Sequence, residues 1–156
     1  MVKNAPSYQL FFDKFADKYR KSRIDDGGSL FNEYIEMPAV KSLLINYPIA
    51  NKNVLDIGCG LGSYTKYFAE KNAMVTAVDI SKNMIKIATQ NCKGLEDRIE
   101  FHHNTFEKVS LKKNQFDIVI GGFMLGYFED LNKPLKKIFS LLKNDGIAIL
   151  SMLHPR

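Results

Sequence analysis

The 156-residue sequence contains no apolar stretch that approaches the ~20 residues needed to span a membrane. The N-terminal residues Met1 to Pro6 lack the apolar core of a signal peptide. Only two cysteines are present, Cys59 and Cys92, and neither belongs to a CxxC pair, which is too few for a disulfide framework. These absences predict a cytoplasmic protein without a membrane segment.

Internal repeats and low-complexity tracts are also missing. With 46% apolar and 25% charged residues, the composition is that of an ordinary globular protein, and the length suggests a single compact unit. The formal net charge of +5 would attract an acidic partner. The lysines are scattered through helical stretches, however, which favours a solvated surface over a binding face.

Aromatic residues at helical spacing mark the N-terminal region, and residues 1–50 are predicted to form a helical lead-in or lid. Ser7 is the predicted N-cap of the first helix, and Asp25-Asp26-Gly27-Gly28 is expected to end it. A second helical piece is expected around Tyr34, and a third with Pro38 in its first turn. The amphipathic stripe of the first helix consists of Tyr8, Phe11, Phe12, Phe15 and Tyr19.

From residue 51 onward, short apolar runs alternate with helical stretches. The runs are too far apart for hairpins and suit crossover connections, so we expect an α/β fold with an open parallel sheet and helices on both faces. The predicted strands are Asn53–Ile57, Met74–Asp79, Arg98–His102, Phe116–Gly121 and Ile147–Leu153. The predicted helices are approximately Leu61–Glu70, Ser81–Asn91 and Asn132–Leu142.

The last predicted helix carries apolar residues at helical spacing. Asn144-Asp145-Gly146 then predicts a turn into the final strand. The predicted buried stripe of this helix is Leu131, Leu135, Ile138, Phe139 and Leu142.

A glycine-rich segment, Val54-Leu55-Asp56-Ile57-Gly58-Cys59-Gly60-Leu61-Gly62, is the most informative part of the chain. Glycines let a ligand approach the main chain, and the N–H groups of the following helix can bind an anionic group. Seventeen residues after Gly62 the next strand ends in Asp79, a carboxylate able to accept hydrogen bonds from both hydroxyls of a ribose. Alone, the glycines would suit a tight turn; together with the acid they predict a nucleoside-cofactor site.

The spacing of these residues distinguishes between cofactors. A dinucleotide fingerprint, GxGxxG, requires a small residue, usually Gly or Ala, at a position where this chain has Ser63. The DxGxGxG pattern from Asp56 instead resembles the first motif of the class I S-adenosylmethionine-dependent methyltransferases. The segment from Asp79 to Ile85, DISKNMI, is similar to the one that follows the second strand in that family.

The resemblance covers nearly the whole chain. Phe116-Asp117-Ile118-Val119-Ile120 is similar to the fourth strand of that family, and Leu141-Leu142-Lys143-Asn144-Asp145-Gly146 to the turn before its fifth. The segment Phe12 to Tyr19, FDKFADKY, resembles the opening helix of many small-molecule methyltransferases. The implied fold is a Rossmann-like doubly wound sheet of five parallel strands, order 3-2-1-4-5, over residues 51–156.

Members of that family usually continue into an antiparallel pair, strands 6 and 7. This chain stops at Arg156, so both strands are expected to be absent. The edge of the fifth strand would then be exposed, and a homodimer partner could cover it.

The resemblance also assigns cofactor-binding residues. Gly58, Cys59 and Gly60 would line the methionine part of S-adenosylmethionine, and Asp56 would help to orient its ammonium group. The backbone of Gly121, at the end of the fourth strand, would face the amino group of the cofactor.

On the nucleoside side, the resemblance places Asp79 at the ribose hydroxyls and packs Ile80 and Met84 on adenine. Asn104-Thr105-Phe106 follows the third strand, and Thr105 stands where the family commonly has an acid near the amino group of adenine.

Tyr19 and Arg23 would close over the carboxylate of the cofactor, although a core tyrosine and a solvated arginine are the competing interpretations.

The implied reaction is in-line transfer of a methyl group, in which proximity and orientation supply most of the rate and a general base is needed only for a protonated nucleophile. No Ser-His-Asp set and no metal-ligand cluster is found. Tyr127 and His154 are the candidates for the acceptor pocket, and a tyrosine packed under the lead-in helices is the competing interpretation of Tyr127.

The predicted function is methyl transfer to a small molecule, with S-adenosylhomocysteine as the cofactor product. The alternatives are a tRNA, rRNA or other macromolecule methyltransferase, and a domain that binds the cofactor but is catalytically incomplete. Nucleic acid is disfavoured because Gly121-Gly122-Phe123-Met124 stands where base-methylating enzymes usually have an Asn/Asp-Pro-Pro-aromatic motif. No separate RNA-binding module is recognised either.

Overall fold

One parallel sheet of five strands organises the computed structural model, which describes residues 5–24 and 32–152. The strand order is β3-β2-β1-β4-β5, as the sequence predicted. Three strands have the predicted bounds, and the other two differ at their ends. The strands are β1 (Asn53–Ile57), β2 (Met74–Asp79), β3 (Ile99–His103), β4 (Phe116–Gly121) and β5 (Leu142–Leu150).

The first helix, α1, spans Ala5–Ile24. Ser7 therefore lies inside the helix, and the prediction that it is the N-cap is wrong. A π-helical segment, Asn32–Glu36, continues directly into α2 (Met37–Leu43), which has Pro38 in its first turn as predicted. The predicted helix break at residues 25–28 lies outside the described residues.

Three further helices connect the strands: α3 (Ser63–Glu70), α4 (Lys82–Asn91) and α5 (Asn132–Leu141). Helix α3 begins two residues later than predicted because Gly62 has a φ of +83°, which is outside the helical region. Helix α4 begins after Ser81, whose hydroxyl accepts a hydrogen bond from the Met84 N–H at 3.2 Å. Among the described residues, no helix has the length and apolarity needed to cross a bilayer.

The sheet is covered on both faces by apolar side chains. On one face Phe68 of α3 packs with residues of α2 and with β-strand residues such as Val54. On the other face Ile138 and Leu141 of α5 pack against Leu55 and Val119. A small third cluster joins Ala16 of α1 to the beginning of α4, so the lead-in helix is packed against the body.

The buried face of α5 differs from the prediction. Phe139, predicted to be buried, is 80% exposed, and Leu135 is also exposed. The buried residues are Pro134, Ile138 and Leu141, which recur at i, i+4 and i+7. The prediction is confirmed for Ile138, and Leu131 and Leu142 pack against the core while partly buried; it is wrong for Leu135 and Phe139.

Strand β5 also begins earlier than predicted. It starts at Leu142, which pairs with Phe116, and the next pair is Ile147 with Ile118. The predicted turn at Asn144–Gly146 is thus wrong as an element boundary, since these residues form an irregularity inside the strand. A Cβ on Gly146 would lie 2.9 Å from the Phe116 carbonyl oxygen, so this close approach requires glycine.

Candidate functional site

A cavity of about 550 Å³ lies at the carboxyl end of the sheet, between α1 and the loops that follow the strands. This is the edge where ligands of open α/β sheets bind, and the volume suits a small-molecule ligand. The cavity is lined by these predicted site residues: Tyr19, Gly58, Gly60, Asp79, Ile80, Met84, Asn104, Thr105, Phe106 and Tyr127.

The glycine turn after β1 has left-handed backbone conformations, with φ of +69° at Gly58 and +52° at Gly60. The N–H groups of Gly58 and Cys59 both donate to the Val78 carbonyl oxygen, at 2.8 and 3.1 Å. These bonds hold the turn against β2. Because Gly58 and Gly60 have no side chain, a ligand in the cavity can come close to their main chain.

Asp79 lies at the end of β2, only 8% exposed, with its two carboxylate oxygens bound to different segments. Oδ2 accepts from the Gly60 N–H at 2.9 Å, and Oδ1 accepts from the Ser81 N–H at 2.8 Å. Burial raises the pKa of this carboxyl, while the two backbone hydrogen bonds act in the opposite direction. Each oxygen keeps acceptor capacity for a ligand, because an ionised carboxylate offers about four lone-pair sites.

Asp56, which the sequence predicts to help orient the ammonium group, lies beneath the glycine turn. It is 1% exposed, and its Oδ2 accepts from the Thr65 hydroxyl at 2.6 Å. It does not line the cavity. Burial, with the nearby Asp79 carboxylate adding to it, raises the pKa of Asp56 to about 7. The side chain therefore connects β1 to α3 beneath the glycine turn.

Residues after β3 form the opposite wall of the cavity. The Asn104 N–H donates to the Asp79 carbonyl oxygen at 3.0 Å, and Asn104 Oδ1 accepts from the Thr105 N–H at 2.8 Å. Lys137 Nζ donates to the carbonyl oxygens of Phe106 and Val109, at 2.6 and 2.8 Å. The loop that carries the predicted Thr105 contact is thus held by α5.

Helix α1 covers the cavity through both polar and aromatic contacts. Asp13 Oδ1 accepts from the Ser81 hydroxyl at 2.5 Å, and the Asp13 carbonyl oxygen accepts from Asn83 Nδ2 at 2.8 Å. The Tyr127 ring lies 4.9 Å from that of Tyr8 and 5.5 Å from that of Phe12, in edge-to-face geometry. Tyr127 therefore both lines the cavity and packs under the lead-in helix, the two roles that the sequence left open.

A smaller cavity of about 70 Å³ adjoins the first on the other side of the glycine turn. Cys59 lines it, together with Tyr19, which also lines the larger cavity. Two residues that the sequence did not single out, Glu36 and Gly122, line it as well. Glu36 was missed because an isolated acid in a helical lead-in has the pattern of a solvated surface residue.

The remaining predicted site residues are placed elsewhere or lie outside the described part. Gly121 does not line either cavity, because Met124 and Leu150 occupy the space beside it. The side chain of Arg23 and the whole of His154 lie outside the described residues. Within the described ranges, no group of three or more His, Cys, Asp and Glu side chains could hold a metal ion.

Residues 55–150 match the family model of a methyltransferase domain. The chain belongs to this family. The match includes the glycine turn, Asp79 and strands β2 to β5, and it confirms the class I methyltransferase resemblance read from the sequence.

Similar proteins agree with this assignment. A malonyl-[acyl-carrier protein] O-methyltransferase of Priestia megaterium is 28% identical over 139 residues, which cover 84% of this chain and 50% of that protein. A ubiquinone biosynthesis O-methyltransferase of Bartonella quintana is 28% identical over 107 residues, 69% of this chain and 43% of that protein.

Among solved structures, an S-adenosylmethionine dependent methyltransferase from Mesorhizobium loti has a TM-score of 0.69 and 25% identity. The superposition covers 76% of this chain and 53% of the Mesorhizobium loti chain. The chain thus spans about half the length of the curated relatives it matches.

Proposed function

We propose that this methyltransferase-family chain binds S-adenosylmethionine and transfers its methyl group to a small-molecule acceptor. The observation that carries the proposal is the buried Asp79 carboxylate, hydrogen-bonded to the glycine turn and facing a cavity of about 550 Å³. A carboxylate so placed can accept from two vicinal hydroxyls, while the glycine backbone lets the rest of the ligand lie close to the main chain.

The residues present fit such a cofactor. The ligand carries a sulfonium and an ammonium group, and the carboxyl groups of Asp79, Asp56 and Glu36 surround the glycine turn, all of them buried. Ile80, Met84 and Phe106 also line the cavity and would provide apolar surface for the adenine ring. A cationic nucleoside therefore meets complementary charge at one end and apolar contacts at the other.

Individual roles follow from these positions. We assign Asp79 to the ribose hydroxyls and the main chain of Gly58, Cys59 and Gly60 to the methionine part. Asn104, Thr105 and Phe106 would flank adenine, with Thr105 standing in for an acid. On the resemblance alone, we assign the main chain of Gly121 to the amino group and Arg23 to the carboxylate group, since Gly121 lines neither cavity and the Arg23 side chain lies outside the described residues. Because the Asp56 carboxylate is bound to Thr65, we assign it an indirect role, in which it would help to orient the ammonium group by supporting the glycine turn.

The cofactor supplies an activated methyl group when bound, so the protein has to orient the acceptor and exclude water. Tyr127, on the wall that faces α1, is the described candidate for contact with the acceptor. Burial raises the pKa of its hydroxyl above the usual value of 10, so it would stay protonated near neutral pH and act as a hydrogen-bond donor. His154 remains a candidate on the sequence alone.

The small-molecule acceptor is supported by two kinds of observation. The relatives named above act, by their names, on malonyl-[acyl-carrier protein] and in ubiquinone biosynthesis. In addition, α1 covers the cavity with aromatic side chains rather than leaving it open to a large polymer. We propose accordingly that residues 1–50 form the lid and residues 51–156 the cofactor-binding unit.

The edge of the sheet suggests an interaction between copies. Strand β5 pairs with β4 only, among the described strands, and the adjacent helix α5 exposes Phe139. A second copy of the chain that pairs along this edge would cover both features.

Calorimetry and a transfer assay test the proposal. We expect heat on titration with S-adenosylmethionine and none with NAD; the reverse result would overturn the cofactor assignment. Methyl transfer would then be measured with small hydroxyl, carboxyl and amine acceptors, and with tRNA. Turnover with tRNA alone would contradict the small-molecule acceptor, and tight cofactor binding without turnover in any assay would favour an incomplete domain.

A further inference from the structure

The small cavity beside the glycine turn contains a carboxylate that the family motifs do not explain. Glu36 is the last residue of the π-helical segment, only 7% exposed, and it lines this cavity together with Gly58 and Gly60. Acidic residues are rarely so buried unless they are paired. The position of Glu36 therefore calls for a partner.

Hydrogen bonds orient one oxygen of this carboxylate. Glu36 Oε1 accepts from the Ser151 hydroxyl at 2.5 Å. The same hydroxyl oxygen accepts from the Phe123 N–H at 3.0 Å, and the Ser151 N–H donates to the Gly121 carbonyl oxygen at 3.1 Å. The Ser151 hydroxyl thus accepts from the main chain with one lone pair and donates its single proton to Glu36. The residues after β4 and β5 thus hold the lead-in carboxylate over the end of the sheet.

The second oxygen, Oε2, has no hydrogen-bond partner among the described residues. No lysine, arginine or histidine of the same ranges forms an ion pair with Glu36. The Asp56 carboxyl is close enough for the negative charge of Glu36 to raise its pKa. A buried carboxylate without a cation is costly, and it becomes favourable when a cationic group binds beside it. The walls of the cavity therefore select a cation.

The backbone at the cavity also allows a ligand to come close. Gly122 faces Glu36 so closely that a Cβ there would lie 2.9 Å from Oε1. The small cavity shares Gly58, Gly60, Tyr19 and Gly122 with the large one, so a single ligand can extend from Asp79 into it. An opening of about 70 Å³ admits only a small group at the end of that ligand.

We propose that Glu36 binds the α-ammonium group of the methionine part of the cofactor, with Ser151 as the residue that positions it. This inference rests on the proposed function, because it takes S-adenosylmethionine as the ligand of the larger cavity. It adds a direct contact from a carboxylate of the lead-in to the main-chain contacts proposed for the glycine turn. Cofactor binding would then tie the lead-in to the ends of β4 and β5.

Glu36→Gln tests the contact with little change of shape. S-adenosylhomocysteine carries the ammonium group, whereas 5′-methylthioadenosine shares the nucleoside and the sulfur but lacks the amino-acid part. We expect the variant to bind S-adenosylhomocysteine at least about tenfold more weakly, the size of one charge-assisted hydrogen bond, and 5′-methylthioadenosine with unchanged affinity. Ser151→Ala should give a smaller loss with the same selectivity.

Glu100→Gln is the matched control, because its exposed side chain lies on β3 away from both cavities. It should bind both ligands as the parent chain does. Equal affinity of Glu36→Gln and the parent chain for S-adenosylhomocysteine would overturn the inference, and so would an equal loss for both ligands, since that indicates a structural role. Failure of the parent chain to bind either ligand would instead refute the proposed function. Thermal melting of each variant verifies that it is folded.

Discussion

The two halves of the carboxyl edge of the sheet are built differently. At the ends of β1, β2 and β3, main-chain N–H groups bind carboxylate and carbonyl oxygens, as in the bonds from Gly60 to Asp79 and from Asn104 to Asp79. At the ends of β4 and β5 side chains take a larger part, as in the hydrogen bonds of the Ser151 hydroxyl with the Phe123 N–H and with Glu36, and Tyr127 is about half exposed. Hydrogen bonds within the chain thus hold the first half in place.

The second half depends on contacts between distant segments. Phe123 has a φ of +56°, and its N–H is held by Ser151, which in turn donates to Glu36 of the lead-in. A bulky residue with positive φ persists only where its surroundings hold it. We therefore expect substitutions in the first half to abolish binding or folding, and those in the second half to change selectivity or association.

The largest effect is expected from Asp79→Ala. The change removes the proposed ribose contact and leaves the Gly60 and Ser81 N–H groups without their acceptor. Affinity for S-adenosylmethionine should fall by about a hundredfold or more, the size of two lost hydrogen bonds to a charged group. Calorimetry would measure this, with the exposed Asp97→Ala as control. A loss below threefold would contradict the ribose role.

The pH dependence of stability should reveal the titration of Asp56. Its folded pKa of about 7 is above the ordinary value of 3.8, so the folded state binds more protons between these values and the free energy of unfolding should fall as pH rises from about 4 to 7. The fall is on the order of 2–3 kcal/mol between pH 5 and 7. Asp79, whose folded pKa is also raised, acts in the same direction.

Asp56→Asn removes the titrating group and should flatten this part of the profile. Urea unfolding of both proteins at several pH values measures the slopes. Identical slopes for the variant and the parent chain would mean that Asp56 is already ionised in the folded state at pH 5.

Gly62→Ala tests how tightly the glycine turn is packed. The residue has a φ of +83°, and a Cβ there would lie 3.0 Å from the Ala88 Cβ. We expect a loss of about 2 kcal/mol in the free energy of unfolding, from backbone strain and crowding together. Gly94→Ala shares the strain, with a φ of +89°, but meets nothing within 4 Å, so it should cost about 1 kcal/mol. Equal losses would show that helix α4 moves away without cost.

Phe139→Glu should have the smallest effect on folding. The side chain is 80% exposed, so the free energy of unfolding should change by less than about 0.5 kcal/mol. If a second copy covers this face, the substitution should weaken self-association in sedimentation equilibrium. A parent chain that stays monomeric at high concentration would refute the dimer, and a large loss of stability in the variant would place Phe139 in the core.

Local patterns were sufficient to predict most of the cofactor half. Strands β1, β2 and β4 have the predicted bounds because their apolar runs are largely buried and because a glycine or an aspartate ends or directly follows each of them. The glycine turn and Asp79 were recognisable for the same reason, since a special backbone conformation and a strand-terminal acid leave a signature within 30 residues of sequence.

Other features depended on packing between segments remote in sequence. The orientation of α5, which buries Ile138 and exposes Phe139, is decided by its contact with the sheet, because both faces of the helix are apolar enough to be buried. The early start of β5 reflects pairing of Leu142 with Phe116, which no local turn signal reveals.

The amino-acid order alone was enough for the fold and the family, and it predicted the nucleoside end of the site, since these depend on periodicity and on residue types that few backbone conformations tolerate. Only the tertiary structure brings Glu36 next to Ser151, which lies 115 residues further along the chain. It also decides that the Asp56 carboxylate accepts from Thr65 and does not line the cavity. The residue type alone does not show whether a carboxylate faces water, a hydroxyl or a ligand. Its burial and its neighbours, which determine its charge and its role, exist only once the chain has folded.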